Sequence, residues 1–207
     1  GGGLGETRPC GFALFTERPL IMALSAGETS ALDGFFDRIL LYEDWRLEGV
    51  PSGLPLKARA KIVKVHAMIA SPFAVTVFLD FDARPCSAAF VDRLAGLVGK
   101  GTDVALTNKF DGQAGLEPAL HLKLEHNSAC VVLDSASHRT QAFLALYLEA
   151  FLGLHARSGE SRDQPALAVA LRKAALETSP PLAHADMSPA IFCRNKISPV
   201  VSCDAGC

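Results

Sequence analysis

Four groups of residues have the types and spacings that chemistry uses. The first is Asp80-Phe81-Asp82, two carboxylates one residue apart where the apolar run "AVTVFL" stops. At a strand end, with the chain turning at Ala83 to Pro85, such a pair can hold a hard cation and leave positions for water and phosphate oxygens, which suits Mg²⁺ or Mn²⁺. Spacing alone is weak evidence, because with twelve aspartates in 207 residues a D-x-D pair arises by chance about as often as not. The second group is Lys57, Lys61 and Lys64, spaced four and three, which a helix stacks on one stripe. Beside a metal such a stripe matches a diphosphate; standing alone it is ordinarily a solvated helix face. Third is Asn127, entering the strand pattern "SACVVLD", whose amide either hydrogen-bonds a ligand hydroxyl or caps a turn. Asp163 and Gln164 form the fourth group, at a helix start after "SGESR", where plain N-capping is an equally sufficient account of the aspartate.

These residues need a scaffold, and the chain alternates apolar runs with helix-period runs. That alternation predicts an α/β domain with a mostly parallel central sheet flanked by helices. Residues 10 to 17 and 35 to 43 read as short strands, the second entered from a helical segment at 19 to 32. A helix from 56 to 70 stops at Pro72. Residues 74 to 80 are apolar on both faces, as a central parallel strand should be. A helix at 87 to 98, strands at 103 to 107 and 128 to 134, and a long helix from Ser137 to His155 follow, with fraying expected at Gly153. Pro165 in a first helical turn starts another helix. The proline-rich tail from Thr178 reads as irregular. In open α/β sheets ligands bind at the carboxyl ends of strands, which is where Asp80 and Asp82 fall.

Composition narrows the function classes. The chain reads as one domain over residues 1 to 207, irregular at 1 to 10 and 178 to 207. A net charge of -2 and a pI near 6.3 give no bulk field for nucleic acid or an anionic membrane. No apolar run reaches the 18 to 20 or so residues of a membrane span, and "GGGLGETRPC" lacks the apolar core of a signal peptide. The six cysteines, Cys10, Cys86, Cys130, Cys193, Cys203 and Cys207, include no C-x-x-C pair, which argues against a structural zinc cluster. Cys130, inside an apolar strand pattern, is expected to be buried. The bunched Cys193, Cys203 and Cys207 would suit a disulfide in an oxidising compartment.

Taken in order, "KVHAMIASPFAVTVFLDFDARPC", "HNSACVVLDSASHRTQAFLALYLEAF", "RDQPALAVALRKA" and "IFCRN" resemble the nucleotide-diphospho-sugar transferase group of GT-A-type glycosyltransferases. The pattern of that group is a lysine, then S-P-F, a strand ending in L-D-x-D, N-[ST]-G, and a D-Q-x-A-L helix. The resemblance covers roughly residues 11 to 195. It implies a Rossmann-like GT-A fold and transfer of a sugar from a nucleoside diphosphate sugar, a UDP-sugar above all, to a glycan, protein or small-molecule acceptor. It further implies Mn²⁺ or Mg²⁺ on Asp82 with Asp80 in support, Lys64 near the phosphates or donor sugar, and Asn127, Asp163 and Gln164 lining the donor and acceptor side. Asp163 is the candidate base. Ala129 stands where the group has Gly, and Ala83 where Thr often follows the second aspartate. Such domains begin with a base-binding strand and end with a histidine metal ligand, so the chain reads as a piece incomplete at both ends. The parent would work in the Golgi lumen or at a membrane if eukaryotic, and in the cytoplasm if bacterial.

Two rivals remain. One is a domain of the same fold that binds nucleotide sugar or a partner without turnover. The other is a haloacid-dehalogenase-type phosphatase, whose strand also ends in D-x-D. There Thr or Val usually stands where this chain has Arg84, and that strand tends to come first.

Overall fold

A computed structural model of the chain describes residues 13–16, 22–35, 38–41, 53–80, 83–85, 90–108, 126–187 and 192–194. The chain divides into two units, Gly1–Ser52 and Gly53–Cys207. In the first, strand β1 (Ala13–Thr16), helix α1 (Ala26–Phe35) and strand β2 (Arg38–Leu41) form a β-α-β unit, with the strands parallel and in register from Ala13↔Arg38 to Thr16↔Leu41. Within the helical segment expected at 19 to 32, the described helix runs over Ala26–Phe35, and residues 19 to 21 lie outside the described residues. A capping box sets the start: Glu28 accepts from the Ser25 N–H and hydroxyl at 2.8 and 2.7 Å, while Ser25 Oγ receives the Glu28 N–H at 3.4 Å.

The second unit is built on a four-stranded sheet in the order β3-β6-β5-β7: β3 is Val75–Leu79, β5 Val104–Asn108, β6 His126–Asp134 and β7 His184–Met187. β6 is antiparallel to both its neighbours and only β5 and β7 pair in parallel, so the sheet is mixed rather than mostly parallel. The expectation failed for a physical reason. Residues 126 to 133 are all buried, so β6 is apolar on both faces, the pattern a parallel strand also shows, and periodicity carries no direction.

Helices cover both faces. On one, Leu94 of α3 (Phe90–Ala95) and Val98 pack against Ala105, Cys130, Val132 and Met187, with Val77 and Leu79 alongside. Strand alternation turns Thr76, Phe78, Leu106 and Leu133 to the other face. There α2 (Leu56–Ile69) packs on α4 (His138–Ser158), and α4 packs along α5 (Gln164–Glu177), which lies against β6. Ser137 caps α4 by accepting from Arg139 N, and Gly159 ends it with a left-handed φ of 68°. The expected fraying at Gly153 does not occur: the helix runs on to Ser158, and the Arg157 guanidinium lies over the glycine. The tail from Thr178 is not wholly irregular. β7 completes the sheet, and β8 (Phe192–Arg194) pairs antiparallel with β4 (Ala83–Pro85). The "HADM" of β7 is a short, half-exposed edge with no apolar run to announce it. Among the described residues no helix is long and apolar enough to cross a membrane.

Asp103 ties the amino end of this sheet to its surroundings. Its carboxylate, on a residue 2% exposed, accepts from the Ser137 hydroxyl at 2.7 Å and the Ala183 N–H at 2.8 Å, and lies 2.8 Å from Arg139 Nε. Burial pushes its pKa up, but the bonds from Ser137, Ala183 and Arg139 outweigh this and hold it below the usual value. We expect Asp103→Ala to lower the unfolding free energy by about 3 kcal/mol, since it orphans a buried N–H and an arginine together. Urea titration checks this.

Candidate functional site

The site is assembled from four stretches of sequence. Asp80 follows β3 directly, and its N–H donates to the Ala129 carbonyl at 2.8 Å, which fixes the aspartate against the start of β6. Helix α2 brings the lysines. Its buried face is Ala58, Ile62, Val65 and Met68, and the lysine stripe winds towards it: Lys57 is exposed, Lys61 intermediate and Lys64 buried. Lys64 is therefore not a solvated helix-face residue.

Asp163 arrives from the α4–α5 connection. Gly159 turns the chain. Glu160 then accepts from the Ser161 and Arg162 N–H groups at 2.9 and 2.8 Å and grips the Arg162 guanidinium, which holds the Glu160 pKa down at about 2. This folded loop delivers Asp163 to the helix start. There the carboxylate does not cap the helix; it turns inward. Oδ2 accepts from the Ser128 hydroxyl at 2.8 Å and lies 3.0 Å from Lys64 Nζ, while Oδ1 lies 3.6 Å from Lys61 Nζ. The plain N-cap account of Asp163 is thereby excluded, and a cap bond typically worth about 1 kcal/mol is forgone.

Lys64 is the centre of the cluster. Its ammonium lies 3.0 Å from Asp80 Oδ1 and 3.0 Å from Asp163 Oδ2, donates to the Ser128 carbonyl, and sits 5.1 Å from the Phe78 ring centroid. An ammonium has three N–H donors, and here three protein acceptors surround it. Burial raises the Asp163 pKa, but the charges of Lys64 and Lys61 and the bonds from Lys64 and Ser128 more than reverse this, leaving it at about 2. Tyr147, fully buried, is close to Ser128 and Asp163 without a well-aligned hydrogen bond; burial, then the charges of Asp163 and Asp80, raise its pKa well above that of a free phenol. Cys130 is buried as expected, and burial with the nearby Asp80 charge pushes its thiol up to about 12, so it is no nucleophile.

Of the residues named from sequence, Lys64, Asp80 and Asp163 come together. Asn127 sits beside them in β6, but its carbonyl oxygen accepts from Ala129 N at 2.8 Å, the turn-capping use. It holds the start of β6 where the β5–β6 register shifts. Ala129 itself is fully buried against the α3 face. Gln164 is the first residue of α5 and half-buried. Asp82 lies outside the described residues, as do the expectations for residues 1 to 10 and the cysteines at 10, 86, 203 and 207. Sequence reasoning missed Ser128 and Tyr147. Ser128 carried a signal, the hydroxyl of the N-[ST] pair; a lone tyrosine on an amphipathic helix carries none.

The pH dependence of this cluster has a definite sign. Asp163 is depressed, so its contribution to stability is fully present above the ordinary aspartate pKa near 3.8 and is lost as pH falls through about 2. We expect wild type to lose on the order of 2 kcal/mol over that window in excess of Asp163→Asn, measured by urea unfolding at stepped pH.

No protein-family model matches the chain, and a search of curated proteins returns no match.

Proposed function

We propose that this chain is a metal-dependent glycosyltransferase domain of the GT-A type, moving a sugar from a nucleoside diphosphate sugar to an acceptor hydroxyl. One observation supports it above the rest: Lys64, Asp80 and Asp163, drawn from three separate sequence motifs, meet in one buried ion-paired cluster beside the end of β3. Asp80 and Asp82 would hold Mn²⁺ or Mg²⁺, and the donors on offer, carboxylate oxygens, are the hard ligands such ions take. When bound, that cation would neutralise the departing diphosphate.

The chain's own residues then divide the remaining work. Lys64, with its three donors engaged, holds Asp80 and Asp163 in place and does not reach for phosphate. Lys61, 27% exposed along its side chain and 3.6 Å from Asp163, would be the lysine to meet the donor. Asp163, anionic down to about pH 2, is a weak proton acceptor and serves to orient Lys64, Lys61 and the Ser128 hydroxyl. Gln164, next to it at the start of α5, would meet the sugar and acceptor.

A binding domain without turnover is the second reading, favoured by the internal neutralisation of Asp80 by Lys64. Donor turnover separates the two. Wild type is expected to hydrolyse a UDP-sugar slowly in Mn²⁺, and Lys61→Ala to raise KM for the donor about 10- to 100-fold with kcat less affected, the loss of one charged contact. Mn²⁺-dependent binding with no hydrolysis would select the binding domain. Hydrolysis of a generic aryl phosphate would point instead to the phosphatase.

A further inference from the structure

A second polar cluster lies on the same sheet and contains neither aspartate of the D-x-D pair. β6 and β7 flank β5, and register places His126 opposite Asn108, Asp186 opposite Leu106 and His184 opposite Val104. Positions 104, 106 and 108 of β5 alternate onto one face, so their cross-strand partners share it. His126 Nε2 lies 2.9 Å from Asp186 Oδ1, and the His184 ring stands edge-on to that of His126, with centroids 5.9 Å apart. One ligand atom from each residue falls within 4.8 Å of the other two.

We propose that His126, His184 and Asp186 form a divalent transition-metal site, with Zn²⁺ the best-matched ion. Two imidazole nitrogens and one carboxylate oxygen are a donor set zinc takes readily, and three protein ligands leave a fourth position for water or an incoming anion. The same donors suit Mg²⁺ poorly, which separates this site chemically from an all-carboxylate pair such as Asp80 and Asp82. Geometry asks for little movement. Zn–N and Zn–O bonds of about 2.0–2.1 Å in a tetrahedron put ligand atoms about 3.4 Å apart. The His126–Asp186 pair is already that close, and His184 would close in by about 1.5 Å from the 4.8 Å limit. Its side chain is free to do so, because His184 and Asp186 are exposed on the edge strand while His126 is buried and fixed. Binding would put the metal where His126 Nε2 and Asp186 Oδ1 now face one another at 2.9 Å.

This site stands independently of the glycosyl-transfer proposal, and its test does not use a nucleotide. The full chain, stripped of metal and kept reduced, is titrated with Zn²⁺ by calorimetry and with Co²⁺ by visible absorption. Wild type should bind one equivalent at micromolar concentration or below, with excess Mg²⁺ failing to displace it. His184→Ala should lose that equivalent or bind it about 100-fold more weakly, and Asp82→Ala should keep it. As His184 is exposed, the variant should retain wild-type circular dichroism; if it does not, Asp186→Asn replaces it in the same comparison. The proposal is overturned if wild type takes up no Zn²⁺ below about 100 μM, or if both His184→Ala and Asp186→Asn bind as wild type does.

Discussion

Lys64→Met is expected to lower the unfolding free energy by about 3–5 kcal/mol, the usual cost of removing one partner from a buried ion pair. The methylenes of the lysine are replaced nearly volume for volume, so the loss is electrostatic rather than a cavity. What it leaves behind is Asp163, on a residue 2% exposed, with the Ser128 hydroxyl and the more distant Lys61, together with Asp80 and a Ser128 carbonyl that has lost the ammonium. The same logic makes the effect strongly coupled. In a cycle with Asp163→Asn, the double variant should be more stable than the sum of the single losses predicts, by about 1–3 kcal/mol. Lys64→Arg should not rescue it, because a flat guanidinium fork cannot serve three acceptors converging on one point. A loss below 1 kcal/mol for Lys64→Met would mean that the ammonium is not the hub its contacts describe.

Much of this hub is legible in the sequence. The lysine spacing placed Lys57, Lys61 and Lys64 on one helix stripe, and the unbroken apolar run put Asp80 at a strand end. Both follow from periodicity, which the fold obeys. What sequence did not convey was depth. The same stripe runs from an exposed Lys57 to a buried Lys64, and residue type alone reads every lysine as solvated. Asp163 shows the converse limit. An aspartate at a helix start is an N-cap by local statistics, and only the tertiary arrival of two lysines and Ser128 turns its carboxylate inward. Strand direction was lost for a related reason. β6 is covered on both faces, so its composition is that of a parallel strand even though both its partners run the other way. The edge strand β7, with His184 and Asp186, was hidden because only Met187 of its four residues is buried, which leaves no apolar run.

The second large effect concerns the cation. Asp82→Ala is the informative variant, because Asp80 is bound to Lys64 and its removal would disturb binding and stability together. In the proposed site Asp82 would supply a ligand to the cation, and since second-sphere losses alone cost 10- to 100-fold in metal affinity, nucleotide binding should fall by about 100-fold or more. The direct measurement is calorimetric titration of UDP into the full chain with Mn²⁺ and, separately, with EDTA. Glycosyl transfer by this site predicts binding in Mn²⁺ that vanishes in EDTA and in Asp82→Ala, with circular dichroism unchanged. UDP binding that is equally strong in Asp82→Ala, or indifferent to Mn²⁺, would contradict it.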